Sequence, residues 1–167
     1  MTLVKPMRED GGAHYRVEIY EAQGFVLKYP RKERHRRNME NITAMQNYLA
    51  GKITGIISAD FCGDHVRMPI PPGKRGDLYP RNVQKETIKP KAAALAEAVK
   101  PYRWKLRDMT SMKNVYYDDV TGTVYAIDYS SLQPKEGWDH WTPRAPDATP
   151  PQPVRADRAG SAVTEAV

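Results

Sequence analysis

Asp108, Asn114 and Asp128 are the residues whose types and spacing suggest chemistry most directly. Asp108 closes Leu106-Arg107-Asp108, Asn114 follows Lys113, and Asp128 opens Asp128-Tyr129-Ser130. Between them the chain reads as a β-hairpin: Asn114 to Tyr117, a turn over Asp118 to Gly122, and a return over Thr123 to Ile127. A hairpin brings its ends together, so the three side chains could converge on one cation or phosphate. Carboxylate and amide oxygens are the ligands Mg²⁺ prefers. The plainer reading is turn and cap chemistry, which also favours aspartate and asparagine. Asp118-Asp119 sits at the hairpin turn, where solvated carboxylates are expected rather than a metal.

The elements that must position these groups follow from periodicity. Tyr15 to Tyr20 alternates as a half-buried strand, Glu21 to Gly24 supplies a turn, and Phe25 to Tyr29 returns until Pro30 stops it. Val26 and Lys28 share one face of that strand. A strand-end lysine ordinarily points to water, so Lys28 gains interest only from its neighbours. From Arg31 to Ala50 the period is helical, with Met39, Ile42, Met45 and Leu49 as the apolar stripe and Gly51 as the stop. Two β-like runs, Ile53 to Phe61 and His65 to Ile70, precede a Pro/Gly connector near 69–76. A helix over Lys91 to Lys100 is expected next, with Pro90 in its first turn and Pro101 closing it. After Trp141 the composition turns to Pro, Ala, Asp and Arg, which predicts a compact domain over 1–142 and a disordered tail over 143–167. Trp138 and Trp141 are expected to pack back onto the domain.

The order is hairpin with lysine, charged helix, two strands, connector, helix, aspartate loop, hairpin, aspartate. With Val26-Leu27-Lys28, Leu106-Arg107-Asp108, Asn114 and Ile127-Asp128-Tyr129, it resembles the protein-kinase-like fold. The likeness covers roughly Tyr15 to Ser131 and is nearest to small bacterial members such as the lipopolysaccharide-core sugar kinases. It implies an α+β fold: an N-terminal antiparallel sheet with one charged helix, then a reduced helical part carrying a catalytic-loop-like hairpin. It also implies ATP and Mg²⁺ as cofactors. Lys28 matches the lysine that neutralises nucleotide phosphates, and Glu40 its ion-pair partner, with Glu33 the less central choice. Asp108 matches the base that accepts a hydroxyl proton; Asn114 and Asp128 match the Mg²⁺ ligands.

The departures from that pattern have a direction. Five residues, Met109 to Lys113, separate Asp108 from Asn114 where the family has four. The glycine-rich loop is reduced to Gly11-Gly12, and Tyr129-Ser130 stands where Phe-Gly is usual. Pro69, Pro71 and Pro72 crowd the segment whose amides would bind adenine, and proline has no N–H to donate. Little folded length remains after Ser131 for a protein substrate. The expectation is therefore a phosphotransferase for a small hydroxyl-bearing molecule. The alternative is a catalytically inactive kinase-like binding or regulatory protein, such as a phage- or prophage-type effector that captures a protein partner.

Composition sets the remaining bounds. A formal net charge of +6 and a pI near 9.4 favour anionic partners. The densest basic run is Arg31-Lys32-Glu33-Arg34-His35-Arg36-Arg37. Basic residues in the first turns of a helix oppose its dipole, so Arg31, Arg34, Arg36 and Arg37 suggest a nucleic-acid reading, although no aromatics interleave with them. Cys62 is the one cysteine, expected as a small core residue, and the four histidines lack zinc-ligand spacing. No leader-like or membrane-length apolar run is seen, so the expected compartment is the cytoplasm, with no membrane partner.

Overall fold

In the computed structural model of the chain, residues 8–11 and 15–135 are described. They form a mixed α+β arrangement whose largest element is an antiparallel sheet of order β1-β2-β3-β5-β4. Its strands are β1 (Arg8–Gly11), β2 (Tyr15–Tyr20), β3 (Phe25–Pro30), β4 (Asp60–Phe61) and β5 (Val66–Pro69). Alternation along β3 and β5 buries Val26, Val66 and Met68, and the register sets Val26 opposite Met68 and Lys28 opposite Val66. Helix α1 (Glu33–Ala50) covers that face with Met39, Ile42, Met45 and Leu49, the apolar stripe its spacing predicts.

The segment after α1 departs from expectation. Ile53 to Ala59 reads as a strand, yet only Asp60–Phe61 pairs as one. Its peptides at Ile57 and Ala59 bond to side chains instead. Asn47 donates to the Ala59 carbonyl at 2.8 Å and accepts from the Ala59 N–H at 2.7 Å, while Gln46 donates to the Ile57 carbonyl at 2.5 Å. Buried backbone groups must find partners somewhere, and here α1 supplies them. Cys62 is exposed rather than core, because the two-residue β4 ends in a tight connection where the Cys62 N–H donates to the His65 carbonyl at 2.9 Å.

Past the connector, β6 (Lys74–Arg75) pairs with β8 (Val115–Asp118), which pairs with β9 (Thr123–Ala126). The helical part begins earlier than Pro90 suggests. Arg81–Val83 (α2), a π turn over Gln84–Ile88, and Lys89–Val99 (α3) follow one another without a break. Within a regular helix Pro90 would lose its N–H bond and crowd the carbonyl four residues back. The π turn immediately before it, in which the Lys89 N–H reaches the Gln84 carbonyl, widens the ladder there. Then β7 (Trp104–Leu106) pairs antiparallel with β10 (Leu132–Pro134), bracketing the Asp108 loop and the β8–β9 hairpin between them. Trp104 is 0% exposed and heads the fully buried side chains. No helix among the described residues is long and apolar enough to cross a membrane. Gly12, Trp138, Trp141 and the tail over 143–167 lie outside the described residues.

Candidate functional site

Ile127 is the node of the site. Its carbonyl accepts from the Lys28 ammonium at 2.5 Å, and its N–H donates to the Asn114 carbonyl at 3.1 Å. Asp128 follows directly, so strand β3, the Asp108 loop and the end of the second hairpin meet at one residue. Lys28 keeps part of its surface in solvent, but its ammonium is closely surrounded by protein atoms. That desolvation lowers its pKa, and the neighbouring Asp128 carboxylate pushes it back up. Tyr15, on β2, lies close enough to feel the same carboxylate. Burial first and Asp128 second raise its pKa to about 12.

The Asp108 loop is tight. Asp108 has φ 59°, in the left-handed region that aspartate tolerates better than most residues. Its carbonyl gathers the Ser111 N–H at 3.3 Å and the Asn114 side-chain amide at 2.9 Å. The carboxyl-bearing residue is itself exposed. It borders a cleft of about 290 Å³ lined also by Tyr15, His35, Asn38, Arg107 and Ser130. With its amide oxygen turned toward the guanidinium, Gln133 accepts from Arg107 Nη2 at 3.1 Å and Nε at 3.2 Å.

Asp128 is fixed by the residues after it. Its Oδ1 accepts from the Ser130 N–H at 3.0 Å and the Ser130 hydroxyl at 2.6 Å. Tyr129 is 4% exposed, and its phenol oxygen accepts from the Ile57 N–H at 2.8 Å. An aspartate followed two residues later by serine signals such a turn in sequence. Nothing in the spacing points to Tyr15 or to the Tyr129–Ile57 contact.

The structure thus brings Lys28, Asp108, Asn114 and Asp128 into one linked neighbourhood, and it does not bring Glu40 there. Glu40 is exposed on α1, one position beyond Met39, whose side faces the core. Successive helical residues are about 100° apart, so a helix that buries Met39, Ile42 and Gln46 turns Glu40 outward. Glu33 is exposed in the first turn, 4.0 Å from Arg36. The Ile127 carbonyl, not a carboxylate of α1, meets the lysine. Asp118 is a second correction. Rather than a solvated turn residue, it is buried, and its carboxylate accepts from the Val120 N–H at 3.1 Å and the Thr121 hydroxyl at 2.9 Å. Its neighbour Asp119 is exposed.

Among the described residues no three His, Cys, Asp or Glu side chains gather as a metal cage. Asn114 meets Ile127 through its backbone carbonyl and the Asp108 carbonyl through its side-chain amide, while Asp128 Oδ1 is bonded to Ser130. The Asp128 carboxylate is near enough to Lys28 to act on its charge. Lys32, Arg34, Arg36 and Arg37 are exposed on and before the first turns of α1. Compared with models of protein families and with curated proteins, the chain matches none.

Proposed function

We propose that this chain is a kinase-like domain that binds ATP with Mg²⁺ between the N-terminal sheet and the Asp108–Ser130 segment. It transfers phosphate to a small hydroxyl-bearing substrate. The observation that carries this reading is the meeting at Ile127 of the Lys28 ammonium and the Asn114 backbone carbonyl, one residue before Asp128. The order of elements, with β7 and β10 bracketing the loop and hairpin, supports the kinase-like comparison. Lys28 would meet the phosphates, exchanging the Ile127 carbonyl for a charged acceptor. Asn114 and Asp128 would hold Mg²⁺, which supplies neutralisation of phosphate charge. Asp108, at the rim of the 290 Å³ cleft, takes the hydroxyl proton as the substrate oxygen bonds to the terminal phosphorus and ADP leaves.

A thermal-shift titration with ATP, run with Mg²⁺ and with EDTA, tests this. The wild type should be stabilised more with Mg²⁺, and Asp128→Ala should lose that difference. No shift in the wild type, or an equal shift in Asp128→Ala, removes the reading.

One observation favours a second reading. The void bounded by Lys28, Met39, Thr43, Gln46, Val66, Met68 and Tyr129 holds only about 20 Å³, roughly the space of one water. A filled interior beside the lysine suits a non-catalytic binding protein on the same scaffold. A stoichiometric protein partner together with no nucleotide effect would favour it.

A further inference from the structure

We infer that Gln46 and Tyr129 are positioning residues, forming with the Ile57 peptide a hydrogen-bonded relay through which helix α1 sets the orientation of Asp128. The metal-ligand role of Asp128 is the one proposed above. Gln46 is 2% exposed on α1. Its Nε2 donates to the Ile57 carbonyl at 2.5 Å, and the N–H of the same residue donates to the Tyr129 oxygen at 2.8 Å. Tyr129 is bonded directly to Asp128, whose Oδ1 is closed off by Ser130. Among the described residues Ile57 has no strand partner, and the helix and the Asp128 turn hold both of its backbone groups.

An apolar residue at 46 and phenylalanine at 129 would fill the same core without the cost of burying polar atoms. Apolar packing is non-directional, whereas hydrogen bonds fix distance and angle. The relay therefore adds orientation where the core alone gives only cohesion. A shift of α1 moves the Ile57 peptide, and the peptide turns Asp128.

Amide hydrogen exchange at Ser130, whose N–H is bonded to Asp128, reads the relay without any ligand. Tyr129→Phe and Gln46→Met should each speed Ser130 exchange about tenfold, and the double variant should be no faster than either. The Gly122 amide, bonded to Asp118 in the distant hairpin turn, should keep its rate. In the Mg²⁺–ATP thermal shift, the Mg²⁺ needed for half effect should rise about tenfold, as when a ligand loses its outer support. Unchanged Ser130 exchange in both variants, or additive effects in the double variant, overturns the relay. A wild type without a nucleotide shift would remove the proposed function, while Ser130 exchange would still decide the relay. Tyr129→Phe, which deletes one oxygen, decides alone if Gln46→Met does not fold.

Discussion

The two hairpins that build the site are held by different physics. In β8–β9, burial alternates cleanly, with Val115, Tyr117, Val124 and Ala126 inward. Asp118 caps its turn, Lys91 of α3 donates to the Gly122 carbonyl, and the Ala126 N–H reaches the Gly55 carbonyl at 3.0 Å. In β2–β3, every residue but Val26 is half-buried, and the turn over Glu21 to Gly24 is exposed. Asn114 and Asp128 hang at the ends of the firm hairpin, and Lys28 comes from the looser one. The residues proposed to hold the metal thus flank the better-buried hairpin, and the lysine proposed for the phosphates lies in the less-buried one. In the proposed function, Lys28 would have to exchange the Ile127 carbonyl for a phosphate.

The contrast can be broken most severely at glycine. Gly73 has φ 89°, and a Cβ there would lie 2.1 Å from the Tyr117 carbonyl oxygen. Gly73→Ala should cost about 4 kcal/mol or more in urea unfolding, because backbone meets backbone and neither can yield cheaply. Gly24 has φ 78°, and a Cβ there would meet nothing within 4 Å, so Gly24→Ala should cost only about 1–2 kcal/mol, the left-handed strain alone. Equal losses would dissolve the distinction between the hairpins. Asp118→Ala, which frees the Val120 and Thr121 donors, should cost about 1 kcal/mol by the same measurement.

The smallest effect is a pH slope. Lys28 has a folded pKa below its ordinary value of 10.5, so between the two values the unfolded chain holds more protons than the folded one. Stability from this group therefore rises with pH across that window, and its cost is fully present below the folded pKa. Tyr15 and Tyr129, both raised, act oppositely at alkaline pH, because there the folded chain keeps protons the unfolded chain loses. The difference between wild type and Lys28→Met isolates the lysine. The stability of the wild type relative to Lys28→Met should improve from neutral pH toward 10.5; a flat difference would place the ammonium in water.

What the sequence made legible was local. The stripe from Met39 to Leu49, the two hairpins and the connector follow from periodicity and turn residues, which act within a few positions. Lys28 on the face of Val26 was legible for the same reason. Contacts that depend on a distant partner were not. Ile53 to Ala59 has strand composition, but its hydrogen bonds go to Gln46, Asn47, Tyr129 and the Ala126 N–H, which no alternation pattern records. Glu40 matched a role by order along the chain, while its direction is set by helix phase. The start at Arg81 stayed hidden because Pro90 reads as a boundary until a π turn accommodates it. Cys62 and Asp118 were misplaced because exposure at a short edge strand and burial at a turn both arise from tertiary packing.

In the proposed function, Asn114 and Asp128 would hold a divalent cation together with a nucleotide's phosphates. Paramagnetic broadening by Mn²⁺ with ATP, followed by NMR on the full chain, tests it most directly. The Asn114 side-chain amide and the Asp128 and Ser130 backbone amides should broaden only when both Mn²⁺ and ATP are present, and Asp128→Ala should abolish the effect. Broadening centred on Asp118 and Asp119, or none near Ile127, would rule out this cation site.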